Sequence, residues 1–147
     1  HSLVSTLPTM SEPYGSKMKS KGGLGRIQKA LGYTIQGLKA AYRHEHAFRQ
    51  EVWALTPFAL VAWLDPHFSA WIRAMLFGSL LLILIVELLN SSIEANTDHI
   101  SLEQHPLAKA AKDMGSAAVF LAIVNALCIW GGVLWTVYGD TVWHWLF

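Results

Sequence analysis

The stretch WIRAMLFGSLLLILIVELLNSSIEANTDHI, residues 71–100, passes from an apolar block into polar sequence. Its first part, Trp71–Leu89, has 19 residues and only two charges, Arg73 near one end and Glu87 near the other. A helix needs about 20 apolar residues to cross the hydrocarbon core of a bilayer. This block therefore reads as a membrane span. The polar residues that close it keep a helical spacing. Glu87, Asn90, Glu94 and Asp98 fall within about 80° of one another on a helix of 3.6 residues per turn. A carboxylate in a span costs roughly 2.5–3.5 kcal/mol near the centre and less toward the ends. The stripe serves either chemistry or polar pairing between helices, and taken alone it does not choose between them.

The rest of the chain supports a membrane class. Of its 147 residues, 53% are hydrophobic and 14% charged, against about 25% charged in soluble domains. The net charge of +1 gives no case for a nucleic-acid partner. The single cysteine, Cys128, excludes an intrachain disulfide. Residues 1–22 are rich in Ser, Thr, Pro, Gly and Lys and read as a disordered tail. Lys17–Lys21 is not followed directly by an apolar run, so no signal peptide is expected.

From Leu24 a helical stripe begins: Leu24, Ile27, Leu31, Ile35, Leu38 and Tyr42. Arg26, Lys29, Gln36, Lys39 and Arg43 lie off it. A basic amphipathic helix of this kind, residues 23–46, suits a membrane surface. Residues 47–147 then read as a transmembrane domain with spans at about 47–64, 71–93 and 114–138. The first is interrupted by Pro57 and its apolar core is short. Asp65-Pro66 marks the turn after it. The third contains Met114–Gly139, 26 residues without a formal charge. Trp130, Trp135, Tyr138, Trp143 and Trp145 suit an interfacial aromatic belt, and Arg73 reads as a snorkelling anchor.

Three spans put the N-terminus and the 94–113 loop on one side, with ten of the 11 Lys and Arg. The positive-inside rule makes that side cytoplasmic. Asn90-Ser91-Ser92 would then lie at membrane depth, where a glycosylation sequon is unusable. No Walker A, HExxH, GxSxG or Cys-rich metal spacing occurs.

Lys112 and Asp113 stand just before the third span, and Arg43, Glu45, Arg49 and Glu51 where the surface helix ends. Both groups reach the depth of Glu94. Carboxylates and cations from three segments thus converge on one plane. Mg²⁺ takes one or two carboxylates plus phosphate oxygens, and Lys and Arg neutralise phosphates. A carboxylate in a poorly hydrated site can accept a hydroxyl proton, and Glu87 is the deepest of the group. An interfacial site of this make-up suits a cytoplasmic nucleotide and a lipid alcohol. A cation or proton pathway uses the same residue types, but would call for more polar spans. His44 and His46, two apart, point different ways on a helix and do not suggest zinc.

The segments GRIQKALGYTIQGLKAA, EHAFRQE, VELLNSSIEA and AKDMGSAAV closely resemble the small prokaryotic diacylglycerol kinase family, over roughly residues 24–138. The resemblance implies an all-α membrane protein, a surface helix and three spans per chain, assembled as a homotrimer in the bacterial inner membrane. It implies transfer of the γ-phosphate of Mg-ATP to the hydroxyl of 1,2-diacylglycerol, giving phosphatidate. By the same resemblance Glu87 is the catalytic base, and Glu45 and Glu94 hold the nucleotide-bound Mg²⁺. Arg26, Tyr33, Glu103, His105, Lys112 and Asp113 contact ATP. Arg26, Ala47, Glu51, Asn90 and Ser116 join Glu87 around the lipid substrate. HPLAK, residues 105–109, resembles the undecaprenol kinase branch, which keeps the same chemistry on another alcohol as the alternative. A non-catalytic helical membrane protein is the distant one.

Overall fold

The computed structural model describes residues 23–100 and 105–147. They form four helices: α1 Gly23–His44, α2 His46–Leu64, α3 Ala70–Ile100 and α4 Pro106–Leu146. The chain divides into two units, His1–Lys39 and Ala40–Phe147. In the first, α1 carries the expected stripe, and Leu24, Ile27, Leu31, Ile35 and Leu38 are all exposed.

The second unit is built around α3, which packs against both α2 and α4. Cross-helix contacts set the register. Asp98 pairs with Lys112, Trp130 Nε1 donates to Ser79 Oγ at 3.2 Å, and Tyr138 donates to Asp65. The sequence numbers rise on α4 as they fall on α3, so the two run antiparallel. Small residues on α4, Ala122 and Ala126, let it approach Leu76, Leu80 and Ile83 of α3. Such residues bring backbones close in membrane bundles, where dispersion rather than water expulsion drives packing.

α3 and α4 are long and apolar enough to cross a membrane. At 1.5 Å per residue they measure about 46 and 61 Å. Most of their surface faces outward and is apolar, with Leu81, Ile85, Leu89, Phe120, Leu121 and Leu127 exposed. α2 is outside that pair. Its first turns carry Arg49, Gln50 and Glu51, which dilute its apolar character.

Three expectations need correction. The 94–113 segment is helical at both ends: α3 continues through Glu94 and Asp98, as their helical spacing implies, and α4 begins at Pro106, ahead of the expected span, while residues 101–104 lie outside the described residues. Pro at the first helical position lacks only an N–H that would be unpaired anyway. His105 caps α4, its Nδ1 accepting from Leu107 N at 3.2 Å. Trp130 does not belong to an aromatic belt. It is buried, with its indole N–H on Ser79 and its ring edge-on to Phe58 at 5.4 Å. Arg73 does not snorkel. Its guanidinium donates to the carbonyls of Ala62 (2.8 Å) and Trp63 in the last turn of α2, where helix acceptors lack partners, and to that of Asp65 just beyond (2.6 Å).

Candidate functional site

The site is assembled where three helix segments meet. α1 ends at His44, and Glu45 adopts an extended conformation (φ −98°, ψ 109°) before α2 starts. Arg49 Nη1 folds back to the carbonyls of Tyr42 (2.9 Å) and Arg43 (3.3 Å), and Trp53 Nε1 donates to Tyr42 Oη at 3.1 Å. These bonds fix the corner that presents Glu45. Arg49, which the sequence offered among the converging cations, is committed to that corner.

Glu87 and Asn90 are buried, at 5% and 7% exposure. Glu94, one turn further along α3, is half-buried, and Asn90 Nδ2 donates to its Oε1 at 3.2 Å. Glu87 feels the charges of Glu94 and Glu45, and Glu51 that of Glu87. Four carboxylates from the α1–α2 corner, α2 and α3 therefore share one electrostatic neighbourhood. Among the described residues none of the four is ion-paired. The nearby cations are engaged elsewhere: Lys112 with Asp98, and Lys109 with Asp113 at 2.6 Å. Glu51 Oε2 and Asn90 Oδ1 are buried without a hydrogen-bond partner.

Only Glu87 of the four is buried, while Glu45, Glu51 and Glu94 are half-buried. Oxygen ligands of this kind could hold a hard divalent cation such as Mg²⁺, which takes one or two carboxylates together with phosphates and waters. Among the described residues no three His, Cys, Asp or Glu side chains form a closed metal cage.

Beside the carboxylates runs an apolar groove of about 270 Å³. Glu51 stands on its wall, followed by Leu55, Phe58, Leu80, Ile83 and Ala126. Nothing in the sequence pointed to it, because it needs the packing of α2 across α3 and α4.

The other expected residues lie as follows. Ala47 and Ser116 are exposed near the start of α2 and in the first third of α4. Asp113 is exposed and His105 caps α4. Arg26 and Tyr33 are exposed on the part of α1 in the first unit. Glu103 lies outside the described residues.

Two long apolar helices, with a cluster of acidic side chains beside an apolar groove, define a helical membrane protein. The family model for prokaryotic diacylglycerol kinase matches residues 32–134. The diacylglycerol kinase of Escherichia coli (strain K12) is 48% identical over 118 residues, 80% of this chain and 95% of the relative. That of Pseudomonas aeruginosa is 49% identical over 119 residues, 81% and 96% of the two chains. That of Helicobacter pylori (strain J99) is 43% identical over 117 residues, 79% and 90%. The chain belongs to the prokaryotic diacylglycerol kinase family.

Proposed function

We infer that the chain is an ATP-dependent diacylglycerol kinase, forming phosphatidate and ADP. The observation that carries the reading in the structure is the group of four carboxylates, none ion-paired among the described residues, with one of them, Glu51, on the wall of an apolar groove. The family assignment says which reaction such a site performs.

In this reading Glu87, the most buried of the four, takes the proton from the lipid hydroxyl as it attacks the γ-phosphate. Glu45 and Glu94 hold Mg²⁺, which supplies charge neutralisation on the phosphates when bound. Lys112 leaves Asp98 to meet the nucleotide, and Arg26, Tyr33, Glu103, His105 and Asp113 contribute to ATP binding. Ala47, Glu51, Asn90 and Ser116 surround the lipid head, and the groove beyond Glu51 takes an acyl chain. The chemistry rests on positioning and electrostatics, as in other phosphoryl transfers.

α2 is the third span, with Arg49 and Glu51 at the interface. The protein lies in the bacterial inner membrane with the carboxylate end cytoplasmic. It acts as a homotrimer, and Asn125, exposed in the middle of α4, supports this, because an amide facing lipid lacks the partner a second chain would give.

The test offers Mg-ATP with diacylglycerol and with undecaprenol, side by side, to protein in bilayers, with Glu87→Gln as control. Phosphatidate formed by wild type and lost in the variant is expected. Preferential phosphorylation of undecaprenol would overturn the substrate assignment.

A further inference from the structure

Gly115 lies inside α4 as its tenth residue. Glycine in a helix interior is less favourable than alanine, so its place needs a reason. Gly78, Gly131 and Gly132 also sit within helices, and a Cβ added to any of them would meet open space. At Gly115 a Cβ would overlap Asn90 Oδ1 outright and stand 3.3 Å from Asn90 Cγ. The bare Cα is therefore what lets the Asn90 amide lie flat between α3 and α4. The same amide, through Nδ2, reaches Glu94 Oε1 at 3.2 Å. Asn90 is buried, so an amide pushed aside by a Cβ at Gly115 would turn within the packed α3–α4 contact, and its bond to Glu94 would move with it.

We propose that Gly115 is a positioning residue for the Glu94 carboxylate, acting through the Asn90 amide. The absent side chain at Gly115 fixes the amide, and the amide fixes the carboxylate oxygen. The inference rests on the reading of Glu94 as a Mg²⁺ ligand. Residues that orient a metal ligand typically change metal affinity 10- to 100-fold when lost. Gly115→Ala should thus raise the Mg²⁺ concentration for half-maximal activity by about 10-fold or more, a larger change than in the KM for diacylglycerol, whose head Asn90 also borders. Gly131→Ala should behave as wild type.

The experiment titrates Mg²⁺ in a kinase assay on wild type, Gly115→Ala, Asn90→Ala, the double variant and Glu94→Gln, with melting temperatures on each. In the Asn90→Ala background the added methyl has nothing to strike, so Gly115→Ala should cost nothing further there. If Gly115→Ala does not fold, folding restored by Asn90→Ala supports the same contact, and failure of both overturns it. An unchanged Mg²⁺ requirement in Gly115→Ala overturns the proposal, as does an equal loss with and without Asn90. An unchanged requirement in Glu94→Gln would instead remove the reading of Glu94 beneath it.

Discussion

The two ends of the helical bundle treat their polar groups in opposite ways. At the end formed by Asp65, His67, Arg73 and Tyr138, every group named has a partner. The Asp65 carboxylate accepts from Tyr138, from the His67 amide at 2.8 Å and lies 3.2 Å from His67 Nδ1, while Arg73 caps α2. At the other end, Glu45, Glu51, Glu87 and Glu94 share one electrostatic neighbourhood with no ion pair among the described residues, Glu94 and Lys112 feeling each other's charge, and two buried oxygens have no partner. The first end fastens the turn between α2 and α3 to α4. The second is the end at which we propose that Mg-ATP and the lipid hydroxyl bind. Groups that hold the fold are satisfied within the chain, whereas groups of a binding site are free to take partners from the ligand.

If that contrast is right, the largest effect belongs to Glu87→Gln. Turnover should fall by at least about 10²-fold, the range for removing a general base, while the melting temperature holds or rises because a repelling buried charge has gone. Arg73→Ala should do the reverse. Losing the cap strands carbonyls at the end of α2, at a cost of about 1–3 kcal/mol, so thermal denaturation should shift down while kcat per folded molecule stays the same. A fall in kcat at full folding would break the division between the two ends.

A smaller effect is expected of Tyr138→Phe. The Tyr138 hydrogen bond, with help from the His67 amide, holds the Asp65 carboxyl below its ordinary value. A lowered folded-state pKa contributes stability above the unfolded value, near pH 4, that disappears as pH falls through the folded value. Melting temperature followed downward from pH 5 should therefore drop less steeply in Tyr138→Phe than in wild type. Parallel acid limbs would remove Asp65 from the account. Smallest of all should be Asp98→Ala. It frees the exposed Lys112 from an ion pair of little worth to stability, so melting should barely move while KM for ATP falls or holds. A raised KM would mean that Asp98 itself serves the nucleotide.

How far these ends were legible in the sequence differs in the same way. The apolar blocks and the spacing of Glu87, Asn90 and Glu94 on one helix face gave the long helices and the acidic stripe, because both are periodic. The start of α4 at residues 106–113 is not legible in the same way, because polar sequence beside a span looks like a loop. The roles of Arg73, Tyr138 and Trp130 depend on which residues of α2, α3 and α4 lie opposite one another, and no local pattern encodes that register. Gly115 did leave a trace: glycine inside an otherwise favourable helix asks for a close neighbour, yet only the packing of α3 against α4 names Asn90.

The central claim is that the carboxylate end is held ready for a metal-bound nucleotide. It is tested most directly by the melting temperature of wild type and Glu94→Gln, each with and without Mg²⁺ and a non-hydrolysable ATP analogue. Ligand at about 100 times its Kd stabilises a folded protein by about 2.7 kcal/mol. The account predicts a clear rise for wild type that needs both Mg²⁺ and nucleotide, and little or none for the variant. The same rise in both proteins, or none in wild type, would contradict it.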